Sequence, residues 1–331
     1  MMEIEAITPE RFRAEVVGGD RPVVLRGLVR DWPVVKAGLR SPEAVADHLR
    51  GFDRGQSVGC MSGPPRIRGR FHYNDDLSGF NFKKQQVKIG GALDYLLETL
   101  EEEDPPAFAI QSAPVWANLP GFERENPLPL LDAAVEPRVW IGNQVVVAAH
   151  HDPAENVACV VAGRRRFTLF PPDRIGDLYM GPFEKTPAGS SISMVDFDAP
   201  DPDRHPRFAD AMRHAQVADL EPGDAIYIPY MWWHHVRSLE RFNMLVNYWW
   251  KPEAASQAHP MDAMLLAMLT IRDLPPAHRR AWRAHFEHYV FEADGPAGEH
   301  LPPERRGVLG PLDAERVQGL RDAVLNGLNR G

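Results

Sequence analysis

Two adjacent histidine pairs are the first candidates for chemistry in this sequence. His150-His151 is followed at once by Asp152, and His234-His235 comes more than eighty residues later. Two histidines and one carboxylate on one face form the facial triad that binds non-haem Fe(II) in oxygenases. Zinc accepts the same ligands, so these residue types predict a metal site without choosing the metal.

Alternation of side chains along a strand suggests which of these groups face the metal. The apolar, β-branched run QVVVAAH predicts a strand that leads into the first pair. His150 and Asp152 would then share one face, and His151 would point to the other. A third ligand must come from the second pair. Alternation does not decide between His234 and His235, because the chain can bend at Pro229.

The elements that must position these residues change in type along the chain. The first 100 or so residues mix short helices and strands, and Thr8-Pro9 and Ser41-Pro42 predict helix starts. From about residue 107 to 250, many short runs rich in Val, Ile, Phe, Tyr and Trp predict an antiparallel sandwich or barrel.

The chain becomes helical again after Pro252. Apolar periodicity predicts helices within 260–273, 276–291 and 312–328. We therefore expect a catalytic domain over 1–252 and a helical appendage over 253–331. The appendage is interpreted either as a cap on the barrel or as a dimerisation element, which would make the protein a homodimer.

Composition excludes several classes of protein. The chain has 331 residues, a net charge of -9 and two cysteines. The negative charge disfavours nucleic acid as a partner, and two cysteines cannot build a disulfide framework. The acidic N-terminus lacks an apolar signal core, and no stretch is long enough to span a bilayer. We expect a cytoplasmic protein without a membrane partner.

Several ordered motifs resemble those of the JmjC and cupin-like oxygenases. They are HHDPAENVACVVAGRRRFTLFPPDRIGDLY, VDFDAPD, EPGDAIYIPYMWWHHVRSL and VNYWW, with GRFHYNDDLSGFNF and IQSAPVWANLPGF before them. The resemblance covers about two-thirds of the chain. It is closest to the branch that includes the asparaginyl hydroxylase factor inhibiting HIF.

The resemblance implies a fold and an activity. The fold would be mainly β with flanking helices: a double-stranded β-helix (jelly roll, cupin-like) core plus a C-terminal helical bundle. The activity would be that of an Fe(II)- and 2-oxoglutarate-dependent dioxygenase, using dioxygen to hydroxylate a protein or peptide side chain or a small molecule. His234, the first histidine after the paired tryptophans, would complete the ligand set with His150 and Asp152.

Three further residues are candidates for binding 2-oxoglutarate. Alternation in RRRFTLF puts Arg165 on the same face as Phe167 and Leu169, where an inward cation needs an anion. The family usually has lysine at this position. Asn156 and Asn247 match polar positions near the iron in the related hydroxylases. The simpler interpretations are that Arg165 pairs with an internal carboxylate and that the two asparagines are ordinary core amides.

Two positions depart from the family pattern and keep rival functions open. Val147 replaces a threonine three residues before the first ligand, and Ala109 replaces a tyrosine two residues before Gln111. Together with Arg165 in place of the usual lysine, they favour the alternative of a non-catalytic metal-binding cupin, such as a sensor or ligand carrier. A second alternative is a metal-dependent cupin enzyme that uses no oxo acid.

Overall fold

The computed structural model describes residues 1–251 and 258–329. The chain divides into two compact units, 1–252 and 253–331. The roles predicted for these two parts, a catalytic domain and a dimerisation element, stay predictions.

Fourteen strands are described in the first unit. In chain order they are β1 (Met2–Glu5), β2 (Val23–Arg26), β3 (Ser57–Gly63), β4 (Arg70–Phe71), β5 (Lys83–Lys88), β6 (Ala107–Pro114), β7 (Pro137–Gly142), β8 (Val146–His150), β9 (Glu155–Ala162), β10 (Arg165–Phe170), β11 (Gln216–Leu220), β12 (Ala225–Ile228), β13 (Trp233–Ser238) and β14 (Asn243–Trp250).

These strands form two sheets. The first has nine strands in the order β1-β2-β12-β9-β14-β7-β6-β3-β5, and the second has five in the order β11-β10-β13-β8-β4. All pairings are antiparallel except β1 with β2 and β4 with β8. The predicted mainly β fold with flanking helices is confirmed. The first sheet also extends beyond residues 107–250, because β1, β2, β3 and β5 all belong to it.

A buried apolar layer lies between the sheets. It is drawn from alternate positions of strands in both, as expected for facing sheets. Its members are Val24, Ala158, Val160, Phe167, Leu169, Ala218, Leu220, Ile226, Ile228, Trp232, Val236 and Leu245. Neighbouring positions on the first sheet, such as Val157 and Val246, face a second, larger core on the other side.

Seven α-helical segments accompany the strands of the first unit. They are α1 (Pro9–Arg11), α2 (Pro33–Gly38), α3 (Pro42–Arg50), α4 (Ile89–Glu98), α5 (Val115–Asn118), α6 (Phe122–Glu125) and α7 (Phe208–Arg213). The predicted caps are present: the Thr8 hydroxyl accepts from the Arg11 amide, and Ser41 accepts from that of Ala44. Helix α2 lies so close to β9 that a Cβ added to Gly38 would be 2.4 Å from the Val161 oxygen.

The second unit is helical, as predicted. Its α-helices are α8 (Pro260–Thr270), α9 (Pro276–Tyr289) and α10 (Ala314–Leu328). None of the three contains a buried residue. The apolar side chains that predicted these helices therefore lie at least partly open to solvent.

No described helix combines the length and apolar character needed to cross a membrane.

Candidate metal centre and co-substrate pocket

The two histidine pairs meet across neighbouring strands. His150 ends β8 and lies opposite His234 near the start of β13. Asp152 follows two residues after the end of β8. The ligand atoms of His150, Asp152 and His234 all lie within 4.8 Å of one another, and this is the group of potential metal ligands found among the described residues.

A β-bulge aims His150 into the space between the sheets. Val147 faces Val236 and His150 faces His234, so two residues of β8 oppose the single residue His235. Such an extra residue changes which face the following side chains take. Val147 and His150 therefore both face inward although they are three positions apart. Simple alternation predicted the shared site of His150 and Asp152, but Asp152 reaches it from the turn after the strand.

Backbone carbonyls set the orientation of both inward imidazoles. Nδ1 of His150 lies 3.0 Å from the Ala148 oxygen, and Nδ1 of His234 lies 3.0 Å from the Trp232 oxygen. A carbonyl only accepts hydrogen bonds, so each Nδ1 must donate. The lone pair of each Nε2 is then available, and Nε2 of His234 lies 3.5 Å from Oδ2 of Asp152. Such hydrogen bonds fix the tautomer of metal-binding histidines.

The electrostatic environment also suits a metal ligand. Burial lowers the pKa of His234, and the neighbouring His150 lowers it further. Desolvation disfavours the charged imidazolium, which leaves the neutral form that donates a lone pair to a metal.

Two further contacts hold Asp152. Nε1 of Trp249 donates to Oδ2 of Asp152 at 3.1 Å, and the Met231 amide donates to its backbone oxygen at 3.0 Å. Met231 has a φ of 63°, a left-handed conformation that is uncommon outside glycine. The turn before β13 is thus tied directly to the turn after β8.

The other histidine of each pair points away from this centre. His151 packs edge-on against Trp233, with ring centroids 4.5 Å apart. His235 stacks on Phe197 at 4.3 Å with an interplanar angle of 8°. Trp232 and Trp233 are themselves buried, and Trp232 belongs to the core between the sheets.

Arg165 is a buried cation on the inner face of β10. Phe167 and Leu169 on the same face belong to the core between the sheets. Nε of Arg165 is buried with no hydrogen-bond partner among the described residues, and no described carboxylate forms a salt bridge with the guanidinium. Burial lowers its pKa to about 10, so the side chain is still charged at neutral pH.

The arginines on either side of Arg165 behave differently. Arg164 pairs with Glu240 at 2.7 Å, and Arg166 pairs with Asp219 at 2.7 Å, both at the surface. The alternative that Arg165 pairs with an internal carboxylate is not seen among the described residues.

The two asparagines lie side by side on the first sheet. Nδ2 of Asn247 donates to Oδ1 of Asn156 at 3.2 Å, and Nε1 of Trp140 donates to Oδ1 of Asn247 at 2.8 Å. Both asparagines are buried. The amides are therefore partly satisfied by each other and by Trp140.

The two departures from the family pattern are both apolar positions in the interior. Val147 packs against the core between the sheets. Ala109 is buried in a small cluster with Met61, Phe71 and Phe82. Neither side chain offers a hydrogen-bonding group, so any co-substrate must be bound by other residues.

Sequence reasoning did not assign roles to Trp249 and Arg138. The Trp249 ring contacts Trp140 edge-on at 5.9 Å, and the Arg138 guanidinium lies 5.9 Å from the Trp249 ring centroid. Arg138 also donates to the Ser112 oxygen at 3.1 Å. Alternation along β14 puts Trp249 on the face of Asn247, and this signal could have marked it as a neighbour of the metal centre.

The residues present fit a divalent metal and an anionic co-substrate. Two neutral imidazoles and one carboxylate leave coordination positions open for other ligands. Arg165, which has no partner in the part of the chain that the structure describes, offers a guanidinium that can bind a carboxylate through two hydrogen bonds. Such an arrangement can hold an oxo acid on a metal in a largely apolar chamber.

Known proteins share this sequence pattern. Residues 9–256 match the family described as the cupin-like domain. HSPB1-associated protein 1 from Homo sapiens is 33% identical over 305 residues, which cover 84% of this chain and 58% of the relative. The protein of the same name from Rattus norvegicus is 27% identical over 311 residues, or 84% of this chain and 59% of the relative.

A second group of relatives carries a different name. Lysine-specific demethylase 8 from Danio rerio is 27% identical over 249 residues, which cover 73% of this chain and 56% of the relative. This chain thus spans less than two-thirds of the length of each of these relatives. The match over residues 9–256 nonetheless includes every candidate site residue, and the chain belongs to the cupin-like JmjC family, whose members use Fe(II) and 2-oxoglutarate.

Proposed function

We propose that this protein is an Fe(II)- and 2-oxoglutarate-dependent oxygenase that hydroxylates a protein or peptide side chain or a small molecule. The observation that carries the proposal is Arg165, a buried guanidinium without a described partner on the inner face of β10. A metal-binding cupin that uses no oxo acid has no need for this cation.

The energetic cost of Arg165 supports a bound anion. Removing an ion from water costs several kcal/mol even after the protein relaxes, and an opposite charge beside the ion offsets this cost. The distal carboxylate of 2-oxoglutarate would supply that charge, and the arginine fork matches its geometry. Arg165 would take the place of the lysine that the resemblance leads us to expect.

The other site residues would hold and orient the reactants. His150, Asp152 and His234 would bind the iron, while Trp249 keeps the Asp152 carboxylate in position. When bound, Fe(II) with 2-oxoglutarate and dioxygen supplies the oxidising power for hydroxylation. The apolar walls formed by Leu169 and Leu245 would exclude water from the reaction.

The charge near the metal centre favours a neutral or acidic substrate group. Arg138 lies against the Trp249 ring, whose indole donates to Asp152. A fixed guanidinium there would repel the cationic side chain of a methylated lysine. Although some relatives are named demethylases, this contact favours hydroxylation by the present chain.

The first test is an anaerobic titration of the Fe(II)-loaded protein with 2-oxoglutarate, followed by the metal-to-ligand charge-transfer band in the visible. We expect Asp152→Ala to abolish the band. Arg165→Ala should weaken 2-oxoglutarate binding at least thirtyfold, because truncating a buried charge partner costs about 2–5 kcal/mol. Arg164→Ala is the matched control, since Arg164 pairs at the surface with Glu240.

A wild-type protein that binds iron but gives no band would contradict the oxygenase proposal and support the metal-binding cupin. Equal losses of 2-oxoglutarate affinity in Arg165→Ala and Arg164→Ala would contradict the proposed role of Arg165 but not the oxygenase proposal itself. Mass spectrometry of peptides after turnover separates the reactions: hydroxylation adds one oxygen, whereas demethylation removes a methylene unit.

We also propose that the chain forms a homodimer through its C-terminal helices. Within α8, Met264, Leu265 and Leu269 are 43%, 46% and 74% exposed. Exposed apolar groups of this kind often mark a protein interface. We expect Leu265→Asp with Leu269→Asp to convert a dimer to a monomer in sedimentation analysis, with the charge-transfer band retained. A wild-type monomer would contradict the proposal.

A further inference from the structure

A wide groove opens at the edge of the first sheet, beside β5. Its volume is about 1600 Å³, and its walls come from β3, β4, β5, α4 and residues 196–199. None of the three candidate metal ligands lines it. The groove is therefore a separate feature from the proposed iron site.

Exposed cations line this groove. Arg66, Arg68, Lys83 and Lys88 are all exposed and all belong to its walls. No described carboxylate forms a salt bridge with any of the four, although acidic residues outnumber basic ones by 46 to 37 in the chain. Other surface arginines do find partners, as Arg50 does with Asp47 and Asp94. The four groove cations thus remain available to an external anion.

The local charge is opposite to that of the whole protein. Residues 54–88 contain seven arginines and lysines but only two aspartates, whereas the net charge of the chain is -9. Such a local positive field attracts acidic groups and repels basic ones. The groove also has an acidic side, where Asp75 and Asp196 contribute and Asp198 pairs with Arg237.

The backbone along the groove is the edge of a sheet. Strand β5 pairs with β3 on one side and ends the order of the nine-stranded sheet. Lys83, Gln85 and Val87 line the groove at alternate positions. An added strand would present its own side chains with the same two-residue repeat. An extended peptide could therefore pair with the backbone of β5 and place acidic side chains beside the cations.

A polypeptide fits this groove better than a single-stranded nucleic acid. Nucleic-acid grooves combine cations with aromatic rings on which bases stack. Here Phe80 is stacked on Phe82 with ring centroids 5.1 Å apart, and the Lys84 ammonium lies 5.3 Å from the Phe80 centroid. Both rings are thus engaged by neighbouring side chains rather than presented to a base.

We propose that this groove is a docking site for an extended acidic polypeptide, which adds to the edge of β5 and sets its carboxylates against Arg66, Arg68, Lys83 and Lys88. The site does not depend on the iron chemistry. It would recruit a partner or hold a distant part of a protein substrate.

The test is fluorescence anisotropy of the full chain with a labelled octapeptide of alternating Glu with Val or Thr. Three comparison probes are the same peptide with Gln for Glu, one with proline at every second position, and a single-stranded DNA octamer. We expect only the acidic, proline-free peptide to bind well, and added salt should weaken its binding. Comparable binding of the proline peptide, or tighter binding of the DNA, would overturn strand addition.

Charge-reversal variants locate the binding surface. Lys83→Glu with Lys88→Glu should weaken peptide binding about five- to tenfold, as expected for two partly screened charge contacts. Arg21→Glu with Arg40→Glu makes the same change in net charge at exposed cations outside the groove. Equal effects of the two double variants would overturn the assignment. His150→Ala should bind the peptide normally, which separates this proposal from that of the oxygenase.

Discussion

Histidines and arginines lie on both faces of the second sheet, but only those on the outer face are satisfied by other described residues of the protein. On the inner face, His150 and His234 direct free Nε2 atoms at Asp152, and Arg165 has no described partner. On the outer side, His235 is stacked on Phe197 and Arg166 is paired with Asp219. Residue type alone does not distinguish a structural histidine or arginine from a functional one. The difference lies in whether the protein itself satisfies the group.

The largest expected difference is between substitutions of the two histidines of the second pair, His234 and His235. We expect His234→Ala to abolish iron binding and turnover, because a facial triad without one ligand no longer holds the metal. His235→Ala should lower stability through the lost packing on Phe197 but keep the iron. Metal content after loading and the charge-transfer band measure both outcomes. Loss of iron in His235→Ala with His234→Ala unaffected would reverse the assignment.

Replacing the inward arginine should make the protein more stable and less functional. Arg165→Met removes a buried charge, and exchanging buried ions for apolar side chains of similar size often stabilises by about 1–4 kcal/mol. Urea unfolding of the protein without co-substrate measures this gain, and 2-oxoglutarate should no longer raise stability. Arg164→Met is the surface control and should change stability by less than about 1 kcal/mol. A destabilised Arg165→Met would show that Arg165 has a structural partner.

His72, a buried histidine that follows β4, should make the free energy of unfolding fall at acid pH. His72 contacts the Ser193 oxygen at 3.0 Å, and burial lowers its pKa from 6.5 to about 4. As the pH falls, the unfolded chain therefore takes up a proton at this histidine before the folded protein does. The stability that comes from keeping His72 neutral is complete above pH 6.5 and is lost between pH 6.5 and 4. From pH 7 to 5 the loss is about 2 kcal/mol.

His72→Asn should remove this share of the acid dependence. Its amide can still donate to the Ser193 oxygen but does not titrate. Urea unfolding at pH 7 and pH 5 measures the difference between the two proteins. The same fall in stability in wild type and variant would show that His72 does not titrate in this range.

The smallest effect should come from the indole that positions Asp152. Trp249→Phe removes the donor to Oδ2 and keeps most of the ring. Loss of a hydrogen bond that orients a metal ligand typically lowers metal affinity 10–100-fold, and we expect about tenfold here. Competition with a chelator measures the change. Trp116→Phe, at an exposed tryptophan, is the matched control, and an equal effect there would exclude the positioning role.

Much of the difference between the inner and outer faces of the second sheet could be predicted from sequence, but not all of it. The repeated β-branched runs predicted the β-rich core, and alternation placed Arg165 inward with Phe167 and Leu169. Alternation did not foresee the bulge at Ala148 and Ala149, because the extra residue is defined only by pairing with β13. The choice of His234 came from resemblance, since the bend before β13 depends on the left-handed Met231.

The edge strand β5 and the C-terminal helices show a second limit. Apolar periodicity predicted α8, α9 and α10, yet it carries no information on what covers them. Likewise, the basic run around Lys83 becomes a groove only when β3 and α4 are in place. Local patterns predict elements well, whereas the partners of an element depend on contacts between distant residues.

The pairing of His150 with His234 also bears on the order of folding. The two residues are more than eighty positions apart, and the ligand set is complete only after β13 has paired with β8. A chain that is still being synthesised and has not yet reached His234 offers at most two of the three ligands, His150 and Asp152. Tight iron binding would therefore come late in folding. Bound iron would also slow unfolding, because separating β8 from β13 must break the metal centre.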